Sequence, residues 1–476
     1  MAKKRKNING VKSLIRALEG TVELLVLAVA YYLIWRHGYE DGLFPEYFGK
    51  GKYVLAGIYV VLTGWLFFAM DGFKFGYLRI SDVLLSQWIA LLGANFITYW
   101  QLCLIANSLI SPVPMLVVML AGAIVALACT VFYTWLYHHL YAPKNMAMIF
   151  GRDEAVTLKF KMETRPDKYR IAKLISVEEG FESICQQIVN YDAVIINDIS
   201  AEIRNDILKF CYKNKIRTYL TPKITDIVVR GAEDINLFDT PLLLVRGNGL
   251  TPMQRFLKRT MDLLICLVAM VVAAPIMLVV ALAIKLEDGG PVFFRQDRVT
   301  LGGKVFSILK FRSMIVDAEK DGRSIPATGR DPRITKVGNV IRATRLDELP
   351  QLLNIIKGDM SIVGPRPERI EHMEKYGNDI PEFALRTKVK GGLTGYAQIY
   401  GKYNTSPYDK VRLDMMYIEN YSLMLDIKLI LMTIRIMLKK ESTEGFEKAR
   451  ELEKMQKELL QHYEEDEKQT AGVGEK

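Results

Sequence analysis

The chain has 476 residues, with 63 basic and 53 acidic side chains and a formal charge of +10. Half the residues are hydrophobic and 24% are charged, which excludes a disordered chain, since such chains are poor in apolar residues. At roughly 100–200 residues per domain the length suggests about three domains. Long uncharged runs sit beside heavily charged stretches, the pattern of a membrane protein with sizeable cytosolic parts. Cys103, Cys129, Cys185, Cys211 and Cys266 show neither CxxC nor zinc-type spacing. They read as buried reduced thiols, which places the folded mass in a reducing compartment.

The first apolar run covers about residues 21–35. Lys3, Lys4, Arg5 and Lys6 precede it and no small-residue cleavage site follows, so it reads as a retained helix. Further runs at about 53–70, 83–110 and 113–137 each approach or exceed the roughly 20 residues needed to cross a bilayer. Residues 1–17 then form a basic cytosolic N-terminus and 18–141 four transmembrane helices. Loop charges agree: the loop with Glu40, Asp41 and Glu46 against Lys50 and Lys52 has no strong basic excess, whereas Lys74 and Arg79 mark the second loop. Pro112 and Pro114 suit a tight external turn. His138 and His139 read as interfacial residues, since no carboxylate or cysteine stands near them in sequence.

From 145 to 247 short β-rich runs (146–150, 171–175, 193–196, 217–220, 242–245) alternate with amphipathic segments. This pattern predicts a Rossmann-like β/α module around a parallel sheet. Its first strand ends at Gly151-Arg152-Asp153-Glu154-Ala155, without the other glycines of GxGxxG. The fingerprint is degenerate, and a structural or regulatory role is favoured over cofactor binding.

The next apolar run, 262–284, is flanked by Arg255, Lys258 and Arg259 on one side and Lys285, Arg295 and Arg298 on the other. Basic residues at both ends place both on the cytosolic face. Pro275 falls near the middle, beside the small Ala273 and Ala274. A helix broken at Ala274-Pro275 can dip into the membrane and return, giving a re-entrant helix over about 260–286. The alternative is a kinked crossing helix, which would strand the rest of the chain outside the cell.

Four motifs follow. Phe293-Phe294-Arg295-Gln296-Asp297-Arg298-Val299 and Leu309-Lys310-Phe311-Arg312-Ser313-Met314 interleave cations with aromatics in a strand-like context, as a diphosphate-binding face requires. In Arg342-Ala343-Thr344-Arg345-Leu346-Asp347-Glu348-Leu349-Pro350, Pro350 is tolerated only in a first turn, which predicts a helix starting near 344–347 and ending at Gly358. Asp347 then reads either as a first-turn acid favoured by the helix dipole or as half of a carboxylate pair that works on phosphate. Gly364-Pro365-Arg366-Pro367-Glu368 holds a guanidinium in a rigid turn. The glycines of Gly391-Gly392-Leu393-Thr394-Gly395 allow the backbone to approach a ligand or the membrane surface.

FRQDRV, KFRSM, LDELPQLLNIIKGDMSIVGPRPE and GGLTGYAQIYG, in this order, resemble the catalytic domain of the bacterial sugar transferases. These are polyprenyl-phosphate hexose-1-phosphate transferases, or monotopic phosphoglycosyl transferases. The likeness covers about 254–440, and the N-terminal half is similar to the long-form members. It implies transfer of a sugar-1-phosphate from a UDP-sugar to polyprenyl (undecaprenyl) phosphate, with release of UMP, as the first step of exopolysaccharide, capsule or other glycoconjugate synthesis. Asp347 matches the family's nucleophile, which forms an aspartyl-phosphosugar intermediate. Glu348 matches its partner at Mg²⁺, with Asp347 also a metal candidate. Lys310, Arg312, Arg342, Arg366, Arg295 and Arg298 are the phosphate-binding candidates. Thr300 stands where the family has Gly, and Gly391 where it has Pro. The resemblance further implies a multi-pass protein of the bacterial inner membrane with its catalytic domain in the cytosol and no nucleic-acid partner. A homodimer suits the long form, and the sugar is open, galactose or glucose being the family-based guess.

Asp426, Lys428 and Arg435 make the run 425–438 costly as a span, so an interfacial helix is expected. Residues 441–476, rich in Glu and Lys, read as a charged helix fading into a tail. Two rival functions remain. A metal-dependent glycosyltransferase usually carries DxD, and no two aspartates here are two positions apart. A non-catalytic scaffold or sensor has no use for the Asp347-Glu348 pair.

Overall fold

The computed structural model describes residues 8–39, 50–151, 154–235, 239–247, 249–316, 318, 331–401 and 405–437. Lys3–Lys6, the loop acids Glu40, Asp41 and Glu46, Arg152, Asp153 and the segment 441–476 lie outside the described residues. Two compact units divide the chain, Met1–Ala142 and Pro143–Lys476.

The first unit contains four helices: α1 (Ile8–Tyr39), α2 (Gly51–Ala69), α3 (Ile80–Ala106) and α4 (Val113–Leu140). All are long and apolar enough to cross a membrane. Their patterning is inverted relative to a water-soluble bundle. In α1 the buried positions recur every fourth residue as Glu19, Glu23, Leu27, Tyr31, Trp35 and Tyr39, while Leu25, Val29 and Leu33 are exposed. Lipid solvates aliphatic side chains as well as a core does, so helices associate through packing and polar pairing instead. Tyr31 stacks on Tyr59 with ring centroids 4.2 Å apart. The Gln87 amide donates to both oxygens of the fully buried Glu23, at 2.9 and 3.2 Å, and Thr130 Oγ1 donates to Gln87 Oε1 at 2.9 Å. His139 stacks on Trp135. Of the cysteines, all but the half-buried Cys129 are buried, and all are free thiols.

The second unit opens with β1 (Lys144–Phe150), α5 (Glu154–Glu163), β2 (Tyr169–Ser176), α6 (Phe181–Ile188), β3 (Ala193–Asn197), α7 (Ala201–Lys213), β4 (Arg217–Leu220) and α8 (Ile224–Arg230). The four strands form a parallel sheet in the order β2-β1-β3-β4. β3 reads Ala-Val-Ile-Ile-Asn and is buried throughout, as a central parallel strand covered on both faces must be. The fifth predicted strand does not join this sheet. Residues 242–244 form β6 (Leu242–Leu244), which pairs antiparallel with β5 (Glu233–Ile235). The few residues between them are too short for the crossover that a parallel neighbour needs.

α9 (Pro252–Asp288) follows, 37 residues long and also long and apolar enough to span. Thr251 and Gln254 cap its start reciprocally, and Gly289, with φ 72°, ends it. The helix continues through Ala274-Pro275 with no non-helical residue between its two halves. Proline withholds one N–H, from the Val271 carbonyl, and the bonds on either side carry the helix on. One stripe is buried along its whole length: Lys258, Asp262, Cys266, Ala273, Val280 and Ile284. Leu264, Val268, Val271, Val272, Val279 and Leu282 are exposed on the other side.

The remaining elements are β7 (Phe293–Val299), β8 (Val305–Phe311), α10 (Lys336–Ala343), α11 (Gln351–Lys357), β9 (Ser361–Val363), α12 (Ile370–Asp379), β10 (Gly392–Thr394), α13 (Tyr396–Tyr400), α14 (Pro407–Glu419) and α15 (Leu423–Met437). β7 and β8 form an antiparallel hairpin and β9 and β10 a short parallel pair. The core joins Cys266 and Ala273 of α9 to Ile355, Met360, Val363, Phe383, Val411, Met415 and Leu429. Ile224 and Ile227 of α8 belong to the same core, so the β/α module packs into it through α8 and α14.

Both ends of α9 are fastened to this domain. At the start, Lys258 Nζ lies 2.6 Å from Asp426 Oδ2, Asp262 accepts from Ser361 Oγ at 2.8 Å and from Ile362 N at 3.1 Å, and Arg259 caps the Ile355 and Ile356 carbonyls of α11. At the end, Glu287 accepts from Lys336 N at 2.7 Å and Asp288 pairs with Arg312. Asp426 is therefore no surface charge on α15. It is fully buried, held by Lys258 and by Tyr417 Oη at 2.7 Å.

Candidate active site

α10 ends at Thr344, and Arg345 takes a left-handed conformation (φ 59°) that turns the chain. A single 3-10 turn, Leu346–Glu348, follows, then Pro350 and α11, which Gly358 (φ 101°) terminates. The predicted helix start is thus a 3-10 turn, and regular α-helix begins only at Gln351. The reason is local: the left-handed Arg345 cannot lead directly into an α-helix, and proline fits best at its threshold. Leu346 and Leu349 pack with Val280, Ile284, Phe311 and Ile341. Their anchoring leaves Asp347 and Glu348 at the rim.

Glu348 gathers cations from two distant segments and from its own turn. Lys310 Nζ of β8 and Arg366 Nη2 each lie 3.1 Å from its Oε1, and Arg345 Nη1 lies 3.9 Å away. Burial alone would raise the Glu348 pKa, but Arg366, Lys310 and Arg345 outweigh it and hold the carboxyl far below its usual range. Asp347 moves the opposite way. Burial first, and then the charge of Glu348, raise it, against the pull of Lys310, Arg342 and Arg345. Among the described residues no hydrogen bond or ion pair engages the Asp347 carboxylate. Two adjacent acids are thereby made unlike: one clamped and ionised, one free to react.

The antiparallel register decides which basic candidates join them. Arg298 pairs opposite Phe306 and Lys310 opposite Phe294, so pleating puts Arg298 and Lys310 on one face. Together with Ile308, Gln351, Arg366, Pro367 and Gly392 they line a shallow cleft. Arg298 donates to Gln296 Oε1 at 2.6 Å and to the Pro367 carbonyl at 3.2 Å, and its buried Nε–H has no partner among the described residues. Burial, with Arg366 and Arg369 nearby, lowers its pKa to about 10. Arg342 reaches the pair electrostatically, from the last turn of α10. Arg295 and Arg312 do not belong to the cluster. Arg295 lies exposed on the opposite face of β7, and Arg312 is 6% exposed, spent on Asp288 and the Pro291 carbonyl. Ala274 and Pro275 lie within α9 and serve no polar contact.

The glycine-rich motif has a packing use. A Cβ at Gly392 or Gly395 would collide with the Gly364 backbone, so these glycines let β10 approach the Arg366 turn. Thr300 and Gly391, the two departures from the family pattern, meet each other. Gly391 N donates to Thr300 Oγ1 at 3.1 Å, which donates to the Asp359 carbonyl at 3.1 Å. Proline at 391 would have no N–H to give and glycine at 300 no oxygen to receive it.

For a divalent cation the fit rests on Asp347 and Glu348 alone, since among the described residues no group of three or more acids, histidines or cysteines converges. That suits Mg²⁺, which is usually held by one or two carboxylates plus substrate phosphates.

Residues 253–440 match the family model described as bacterial sugar transferase. The chain is 38% identical over 262 residues to an Aeromonas hydrophila UDP-N-acetylgalactosamine-undecaprenyl-phosphate N-acetylgalactosaminephosphotransferase, covering 52% of this chain and 60% of that one. It is 42% identical over 211 residues to an Escherichia coli (strain K12) UDP-glucose:undecaprenyl-phosphate glucose-1-phosphate transferase, covering 43% and 44%. A Caulobacter vibrioides protein of the same printed name is 42% identical over 209 residues, 42% of this chain and 77% of that one. The matches thus span about half the length of several of these relatives. With the family match over residues 253–440 and a relative 42% identical that is covered over 77% of its length, the chain belongs to the bacterial sugar transferase family.

Proposed function

We propose that the protein transfers a sugar-1-phosphate from a UDP-sugar to undecaprenyl phosphate. The observation that carries this reading is the unbonded Asp347 carboxylate beside a Glu348 that Lys310 and Arg366 hold ionised. An Asp347 carboxylate oxygen attacks the sugar-bearing phosphorus. The P–O bond to the uridine-side phosphate breaks, and UMP leaves with the bond's electron pair. A phosphate oxygen of undecaprenyl phosphate then attacks the aspartyl-phosphosugar. It forms the polyprenyl-diphosphate-sugar and returns the free carboxylate. Lys310, Arg366, Arg298 and Arg342 offset the charge of the diphosphate and fix it in line. Mg²⁺, held by Glu348 and Asp347 with the substrate phosphates, would neutralise the leaving phosphate.

α9 supports the same reading. With both ends tied to one domain, they stay on one side of the bilayer, and the exposed Leu/Val face meets lipid. Nucleotide sugars are cytosolic, so that side is the cytosolic face of the inner membrane. A lipid-linked sugar is the starting material for polysaccharide or capsule assembly. The test uses full-length protein with Mg²⁺, undecaprenyl phosphate and labelled UDP-glucose, UDP-galactose and UDP-N-acetylgalactosamine. Release of UMP with label on lipid is expected. Release of UDP would assign a glycosyltransferase instead.

A further inference from the structure

The turn that carries Arg366 has a peculiar way of being held. Pro365 and Pro367 have no N–H, so the turn is secured through its carbonyls. Gly392 N donates to the Pro365 carbonyl at 2.9 Å, Arg298 to that of Pro367 at 3.2 Å, and Val299 N to that of Glu368 at 3.0 Å. The remaining carbonyl, of Arg366 itself, accepts from Arg386 Nη2 at 3.1 Å.

Arg386 is 4% exposed and packs against the turn through the Arg366 carbonyl. Its guanidinium is shared among three acceptors. Besides the Arg366 carbonyl, Nη1 lies 3.1 Å from Glu368 Oε1, while Nε and Nη2 reach Asp414 Oδ2 at 3.0 and 2.8 Å. Asp414 is 1% exposed on α14. The planar fork also sits 4.8 Å from the Phe383 ring centroid. Only a guanidinium can address three acceptors in one plane, and a lysine ammonium at the same place cannot.

We propose that Arg386, oriented by Asp414 and Glu368, is a positioning residue that fixes the Arg366 backbone so that its guanidinium stays against Glu348. The Arg386 guanidinium bonds to Asp414, Glu368 and the Arg366 carbonyl, and it acts on the site through Arg366. A displacement of about 1 Å at such a group can cost about 100-fold in rate.

The inference rests on the transferase reading, and a double-mutant cycle separates the two. UMP release from full-length protein is measured for wild type, Arg386→Lys, Arg366→Lys and the double variant. Arg386→Lys is expected to lower kcat/KM about 10- to 100-fold, mostly in kcat. In the Arg366→Lys background the same change should lose less than about threefold, because the group it positions is already gone. Asp414→Asn should follow the same pattern in milder form, and it serves if Arg386→Lys does not fold. Equal losses in both backgrounds, or an unimpaired Arg386→Lys, would overturn the proposal. Calorimetric binding of inorganic pyrophosphate, run on the same four proteins, gives the cycle a readout without turnover. A wild type that binds pyrophosphate non-additively yet releases no UMP would sink the transferase reading and leave the positioning role standing. Turnover with additive losses would do the reverse.

Discussion

The β/α module and the catalytic domain both present a glycine-bearing turn at a strand end, and only one gathers charge. At the end of β1, a Cβ on Gly151 would lie 2.7 Å from the Asp198 carbonyl oxygen. The chain's own backbone packs directly against this glycine, so no side chain fits there. At the Arg366 turn, the glycines let backbones close up, and the cations reach the carboxylates from β8, from the 3-10 turn and from the turn itself. The lesson is that phosphate chemistry here comes from convergence of distant side chains. A fold outline resembling a nucleotide-binding domain does not supply it.

The sharpest way to break this contrast is to remove each centre in turn. Asp347→Asn should lower turnover at least about 1,000-fold and abolish trapping of labelled phosphosugar on the protein. Gly151→Ala should strain the module yet keep kcat/KM within about twofold of wild type, since no substrate contact is lost. Loss of UDP-sugar binding in Gly151→Ala would instead give the module a substrate site.

Glu348→Gln should cut kcat about 100-fold and also destabilise. Its folded pKa is depressed, so its stabilising effect is present above the ordinary glutamate value and lost as pH falls toward the folded one. The expected loss lies between the ~1 kcal/mol of an exposed pair and the ~3–5 kcal/mol of a buried one. Chemical denaturation of the two variants should therefore diverge. Asp347 has a raised folded pKa, and its favourable contribution exists only in the protonated form, being lost as pH rises through that pKa. Above that pKa the ionised group opposes folding, so Asp347→Asn should melt higher than wild type in a thermal scan run there. The acid limb of the single-turnover rate should likewise report one group above the ordinary aspartate range, with the rate falling as pH drops. The smallest effect belongs to Thr300→Val, which orphans the Gly391 N–H. It should cost about 1 kcal/mol with turnover nearly unchanged, read from thermal midpoint and rate together.

Periodicity made much of this legible. The four helices of the first unit and the first four strands of the module stand where the residue pattern puts them. What was not legible is partnership. Arg312 and Lys310 sit two residues apart in one motif with the same chemistry. One meets Asp288, from the end of α9, and the other meets Glu348. Nothing in the spacing distinguishes them. Pro275 is legible as a residue that withholds one helix bond, and the helix runs on through it. Arg386 carries no signal at all, since its three acceptors come from a turn and a helix that meet only in the folded chain.

One consequence of α9 concerns how the catalytic domain could be handled in isolation. A helix with a lipid-facing side invites removal to obtain a soluble enzyme. Deleting residues up to 290, however, would take away Lys258, Asp262 and Asp288. It would leave Asp426 buried without its counter-ion, Ser361 and the Ile362 N–H without their acceptor, and Arg312 charged and enclosed. The membrane segment is part of the enzyme's interior. Solubility is better sought by recolouring its exposed face, at Leu264, Val268, Val271, Val272, Val279 and Leu282, than by cutting it off.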